Sequence, residues 1–337
     1  MLPDRLRPFV RWEVALVTLL FLVILYGAHV SPAFTRNIDV FYIGVNYGEI
    51  AIMALPLALI VITGEIDLSV ASMLGLSGAV MAELFSHGWG VWPAIAGALV
   101  VGIVAGTFNG FLVTKIGLPS LAVTIGTLTL YRGIAQILLP NNTVGGFPAN
   151  LTKIGIVPIP HTELSYSAGF FIVLALLFAI VLHLTPLGRS IFAIGANQEA
   201  AFFSGIRVKR IKLGLYVLSG FLCSVAGVLW TLRFASARYD AGTGLELNVV
   251  TVVLLGGISI FGGRGTIFGV VLAMIVVGCL QQALTLDLVA AQNQNIVIGA
   301  LLIASVILPN SSSLYARGRG RLQSGVARRR LRAGAEQ

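Results

Sequence analysis

Charge is scarce in this chain. Asp, Glu, Lys and Arg make up 10% of its 337 residues, where soluble domains carry about 25%. The shortage argues against an ordinary water-facing fold. Cysteine is nearly missing as well. Cys223 and Cys279 both fall inside apolar runs, so they read as packing residues rather than a disulfide framework or a metal site. The four histidines, His29, His87, His161 and His183, are scattered, without the His-Glu-x-x-His or Ser/His/Asp spacing that an intramembrane enzyme would need. Also missing is a G-x-x-x-x-G-K-[ST] phosphate loop. The glycine-rich "GGRGTIFGV" has no Lys after its glycines, so any ATP hydrolysis is expected from another chain.

What is present is hydrocarbon, with 57% of residues hydrophobic. A bilayer span needs about 20 apolar residues. Such runs recur at 14–30, 44–63, 67–85, 91–114, 119–139, 168–185, 213–232, 247–261, 266–285 and 294–309, which predicts an all-α polytopic membrane protein of about ten helices. The run at 14–30 is long for a cleaved signal and is expected to stay as the first span. Segments 67–85 and 247–261 are the irregular ones. The first follows Glu65 and Asp67 directly and the second is short, so both are expected to be broken or re-entrant.

The basic residues set orientation. With the N-terminus cytoplasmic, Arg5, Arg7, Arg11, Lys115, Arg189, Arg207, Lys209, Arg210, Lys212, Arg264 and the seven arginines from Arg317 to Arg332 lie inside, 17 of the 22. Arg36, Arg132, Lys153, Arg233 and Arg238 remain outside. Both termini are then cytoplasmic, as an even number of spans requires. The formal net charge of +9 is therefore mainly a topology signal, with some attraction to anionic membrane lipid. Nucleic-acid binding is excluded, because the arginines flank spans and lack interleaved aromatics.

One charged passage stands apart. "GANQEAAFFSGIRVKRIK" at 195–212 packs Glu199, Arg207, Lys209, Arg210 and Lys212 between two apolar runs. Pro186 and Gly188 are read as closing the preceding span. Asn197 is a good N-cap for a short helix that Gly205 would stop, with Glu199 complementing its N-terminus and Phe202 and Phe203 forming an apolar edge. Periodicity alone leaves open an ordinary basic loop.

"EAAFFSG" at 199–205 resembles the EAA loop of ABC-importer permeases. "TGEIDLSVASMLGLSGA" at 63–79, "NGFLVTKIGLPSLAVTIGTLTLYRGIA" at 109–135, "LLGGISIFGGRGT" at 254–266 and "GCLQQALTL" at 278–286 resemble permeases of the ribose, rhamnose and autoinducer-2 class. "GGFP" at 145–148, "ASARYDAG" at 235–242 and "LQQ" at 280–282 are most similar to the autoinducer-2 and rhamnose members. The resemblance implies a permease subunit in the bacterial cytoplasmic membrane, moving a small sugar or sugar-like molecule by alternating access. It assigns Glu199, Ala200, Ala201, Gly205, Ile206, Arg207, Lys209 and Arg210 to a coupling helix that docks on a separate ABC ATPase. That ATPase would hold ATP and Mg, leaving no cofactor in this chain. A second permease subunit and an extracytoplasmic sugar-binding protein are the other implied partners, the latter meeting the outer loop at 140–167. The chain departs from the class where Glu65 replaces the second glycine before "IDLSV" and Ala71 replaces the glycine after Val70.

Polar groups in spans are costly and usually face a bundle interior or a cavity. Asn46, Glu65, Asp67, Ser69, Asn109, Asn248, Gln281 and Gln282 are the candidates for the translocation pathway, with Asp67 and Ser69 also readable as an N-cap of the third segment. An ion-coupled carrier using Glu65, Asp67 and Glu83 as a relay is the competing reading. Gly102, Gly106 and Gly110, and later Gly265 and Gly269, recur every four residues, as in close helix contacts. "EIDLSV" at 65–70 echoes "ELNVVT" at 246–251, which suggests an internal repeat. The expected organisation is one transmembrane domain over 1–310, with a coupling segment at 186–212 and a disordered basic tail at 311–337.

Overall fold

The computed structural model describes residues 7–32, 34, 37–140 and 143–307; the basic tail expected at 311–337 lies outside them. The elements are α1 (Arg7–Val30), α2 (Asn37–Ile62), α3 (Val70–Ser86), α4 (Val91–Phe111), α5 (Ser120–Leu138), β1 (Val144–Gly145), α6 (Ala149–Ile156), α7 (Tyr166–Leu184), α8 (Pro186–Ala196), α9 (Gln198–Phe203), α10 (Val208–Arg233), β2 (Ser236–Ala237), α11 (Leu245–Leu255), α12 (Ile267–Leu286) and α13 (Ala291–Ile307). Each apolar run of the sequence has become one helix. Seven are long and apolar enough to cross a membrane, whereas α3, α11 and α13 are shorter. The two irregular segments are thus the short helices α3 and α11.

The centre is α2. Every residue from Gly48 to Thr63 is buried, as expected of a helix that is apolar all round. It tolerates Pro56 in its interior because neighbouring helices enclose the freed backbone. Around it the packing is reciprocal: α2 lies against α11 and α12, α10 lies against α3 and α4, and α2 and α10 pack on each other. That exchange of partners is what a two-fold internal repeat of α2–α4 and α10–α12 would produce. The peripheral helices α1, α4, α5 and α7 present Phe21, Val104, Ile125 and Val173 outward, a surface suited to lipid tails.

The glycine pattern explains the tightest contact. Side chains at Gly102, Gly106 or Gly110 would collide with Gly220, Tyr216, Ser224 or Leu213 of α10, so α4 and α10 touch backbone to backbone. Gly269 meets Gly256 in the same way. Gly265 does not share that helix face. It precedes α12 at φ +143, a conformation open to glycine, so the expected Gly265/Gly269 stripe is half a loop. At the end of α4 the ladder widens into a π turn over Leu112–Ile116, where Gly117 N–H reaches back to Leu112 O at 3.1 Å. Gly117 then leaves at φ +85.

One end of the bundle gathers the basic loops, the α8–α9 segment and the 256–266 turn, where Gly263 N donates to Ile62 O at 2.8 Å. By its excess of Lys and Arg this is the cytoplasmic end. The opposite end is a folded cap. There β1 pairs antiparallel with β2, α6 packs on α10 with Gly155 against the Arg233 backbone, and Phe147 stacks on Phe85 at 4.8 Å. The loop expected at 140–167 is therefore largely structured, although residues 141 and 142 lie outside the described residues.

Candidate functional site

The cytoplasmic segment is an elbow of two short helices. Thr185, not part of α7, caps α8 by accepting from Gly188 N at 3.4 Å, and Pro186 takes the first helical position. Pro186 and Gly188 thus open a helix rather than close a span. Proline suits that position because its missing N–H has no partner to lose there. Asn197 caps α9, its Oδ1 accepting from Ala200 N at 2.9 Å, and Gly205 ends the segment at φ +85.

A small core of Ile194, Ala201 and Val208, backed by Ala193, Ile206 and Ile211, holds the elbow together. The rest faces outward. Glu199, Ala200, Gly205, Arg207, Lys209 and Arg210 are exposed, and Phe202 and Phe203 stand 64% and 83% exposed with rings 5.7 Å apart. A pair of bare phenylalanines ringed by charge is the composition of a protein-binding patch.

Lys212 does not belong to that exposed basic set. It lies in the second turn of α10 and is buried. Its ammonium donates to Glu65 Oε1 and to Gln198 Oε1, both at 2.5 Å. Burying an ammonium is tolerable only with such partners, and removing one partner of a buried pair typically costs about 3–5 kcal/mol. Glu65, the departure from the glycine pattern, is therefore the counter-ion of a residue 147 positions away.

Beyond Glu65 the chain between α2 and α3 runs unwound through the bundle. Asp67 is fully buried. Its Oδ1 accepts from Ser69 N at 3.0 Å and Ser69 Oγ at 2.6 Å, and its Oδ2 accepts from Ser219 Oγ of α10 at 3.3 Å. Asn109 Nδ2 donates to Ser69 Oγ at 2.8 Å, and Tyr131 Oη donates to Asn109 Oδ1 and Ala105 O, both at 2.9 Å. Ser69 is the N-cap residue of α3 but makes no capping bond itself; Asp67 bonds its N–H instead. The break is further held to α5, where Ile66 N donates to Ser120 Oγ at 3.1 Å and Ile66 O accepts from Thr124 Oγ1 at 3.3 Å.

Of the pathway candidates, Asp67, Ser69 and Asn109 meet in this one closed network, with Glu65 at its cytoplasmic edge. Asn248 and Gln281 form a separate buried pair at 3.1 Å between α11 and α12. Gln282 is buried beside it in sequence, and Asn46 is exposed on α2. Residues that sequence reasoning did not single out complete the picture. Arg132 of α5 donates to Tyr239 O at 3.1 Å and Ala241 O at 2.5 Å, and to Ala71 O at 3.5 Å, fastening the loop before α11 to the start of α3. Arg233 bonds Val45 O and lies 3.6 Å from the buried Glu49. The usable signal for both arginines was a cation inside an apolar run.

An all-helical bundle with two interrupted helices, a folded outer cap and an exposed aromatic elbow at its basic end is a multi-pass membrane permease. The chain belongs to the family described as branched-chain amino acid transport system / permease component, whose model matches residues 40–306. As a permease component it is not itself an enzyme. It is 35% identical over 319 residues to the autoinducer 2 import system permease protein LsrD of Klebsiella pneumoniae, covering 90% of this chain and 92% of that one. Against the protein of the same name from Yersinia enterocolitica the identity is 36% over 317 residues, covering 90% and 93%. Against that of Salmonella typhimurium it is 34% over 316 residues, covering 90% and 92%. No solved structure matches. The family description and the relatives' names specify different cargo, so the family alone does not define the substrate.

Proposed function

We propose that this chain is the membrane-spanning subunit of an ABC importer that brings a small sugar-like molecule into the cytoplasm by alternating access. Two permease subunits, identical or related, enclose the pathway. A separate cytoplasmic ATPase binds ATP and Mg, and an extracytoplasmic binding protein delivers the cargo against the outer cap. The observation that carries this reading is the α8–α9 elbow, which holds Phe202, Phe203 and Glu199 out from a miniature core at the cytoplasmic end. In this scheme α9 is the coupling helix, seated in a groove of the ATPase, and its displacement reopens the bundle. The relatives' import of autoinducer 2 supports a small polyhydroxylated cargo. The ion-relay reading loses support because Asp67 is consumed by hydroxyl and amide donors, while Glu83 sits at the far end of α3 beside His87.

The test is affinity purification from detergent-solubilised native membranes, with mass spectrometry for a co-purifying Walker-motif ATPase. Phe203→Asp alters an exposed side chain and should leave the fold intact while abolishing retention of the ATPase. Equal retention by the variant and the native chain would defeat the coupling-helix assignment. Glu199→Lys should similarly abolish uptake of labelled autoinducer 2 at normal expression.

A further inference from the structure

Three elements meet at one buried ammonium. Gln198 opens α9, Lys212 lies in α10, and Glu65 stands in the break between α2 and α3. The remaining contacts of the elbow reach other places. Ala201 packs within the elbow's own core, and the end of α8 touches backbone only at Ile62 and Gly263, with Gly195 pressed against Ile62 O. Ile62 is the last residue of α2, whereas Glu65 comes after Gly64, which has φ +82 and open space around the position of a side chain. Gly64 is thus a swivel, since glycine alone takes that backbone region freely. The backbone contact holds the elbow to the fixed side of the swivel, and the Gln198–Lys212–Glu65 chain grips the other side. From Glu65 the connection continues into Ile66, bonded to α5, and Asp67, bonded to α10.

We propose that Glu65 is a positioning residue for transport: through Lys212 and Gln198 it transmits displacement of α9 to the unwound 63–69 segment, and so to α3, α5 and α10 together. The inference rests on the docking role given to α9 above. The link is short and buried, so a shift of α9 cannot be absorbed by water replacing one of its hydrogen bonds without exposing or stranding the ammonium. An exposed basic loop would be free to absorb the same shift.

Hydrogen exchange of peptides covering 63–69 tests this, using the chain with its co-purified ATPase in lipid nanodiscs, with and without ATP plus vanadate. The native complex should change exchange across 63–69 on trapping. Gln198→Leu leaves the Lys212–Glu65 pair intact and begins from an exposed residue, so it should fold and keep the ATPase yet lose the nucleotide-dependent change. Glu65→Gln should lose it as well, and Glu65→Lys combined with Lys212→Glu should restore it. A full response in Gln198→Leu, or no response in a native complex that retains its ATPase, overturns the link. A native chain that retains no ATPase overturns instead the docking role on which the link depends.

Discussion

The molecule interrupts two of its helices, and it repairs the two gaps by different means. Between α2 and α3 the unwound segment is stitched by its own side chains. Asp67 and Ser69 bond each other and reach Ser219, Asn109 and, through Asn109, Tyr131. Between α10 and α11 the loop carries Gly242 and Gly244 at positive φ, and its carbonyls at Tyr239 and Ala241 are bonded from outside by the single guanidinium of Arg132. A backbone without partners in a bilayer is untenable, so both gaps had to be closed. The first closure is distributed over several helices, and the second is concentrated in one side chain. Damage should therefore be graded at the first gap and severe at the second.

The largest effect should come from Arg132→Met, which strands three carbonyls, each costing about 1–3 kcal/mol when buried. A loss on the order of 4 kcal/mol is expected, seen as a lowered unfolding midpoint in detergent; a loss below that of Asp67→Ala would reverse the comparison. Asp67→Ala should cost about 3 kcal/mol by leaving Ser69 N, Ser69 Oγ and Ser219 Oγ without their acceptor, while Asp67→Asn, which still accepts, should cost under about 1 kcal/mol. If the two Asp67 variants were equally damaging, its charge rather than its hydrogen bonds would govern the gap. Tyr131→Phe removes one donor shared by Asn109 and Ala105 and should cost about 1 kcal/mol, within the range of interhelical bonds in membranes.

The smallest effect belongs to pH, at the second gap. Asp240 accepts two bonds from Arg238, at 2.9 and 2.8 Å. Those bonds hold its carboxyl below the ordinary value against a weaker opposing effect of partial burial. The depressed folded value means that the stabilisation is present above about pH 3.9, the ordinary aspartate value, and fades as pH falls through it. The pair is solvent-exposed, so screening keeps the contribution slight. Comparing the pH dependence of unfolding for the native chain and Asp240→Asn between pH 7 and about pH 3 should show a small slope in the former that is flattened in the latter. A steep native slope abolished by the substitution would mean that this loop, too, leans on a charge.

Much of the architecture was legible because membrane spans announce themselves by length and hydropathy. The short α3 and α11 were marked by the carboxylates at their starts. The elbow's Asn197 cap and Gly205 stop were legible for the same local reasons. Pro186 was misleading, because proline both ends helices and opens them, and the choice rested on Thr185 capping the next one. Lys212 was read with its exposed neighbours since nothing local distinguishes it; burial comes from Glu65, far away in the chain. Asp67, Ser69 and Asn109 each stood out as polar, but only the packing of α4 and α5 beside the break joins them to one another. The outer cap left the faintest trace, as α6 and a two-residue strand pair have too few residues to impose a period.

The π turn at 112–116 carries a consequence for descent. A π turn holds one more residue than the α-helical path it replaces, so deleting a single residue here would restore a regular helix at the end of α4. Everything after the deletion would rotate by about 100° relative to α10, and Lys115 would swing off the face it now occupies. A change in length by one residue is thus an editing operation that ordinary substitutions cannot mimic. Among permeases of this kind, insertions and deletions at this turn are the natural means of re-aiming a cytoplasmic loop without disturbing the glycine contact above it.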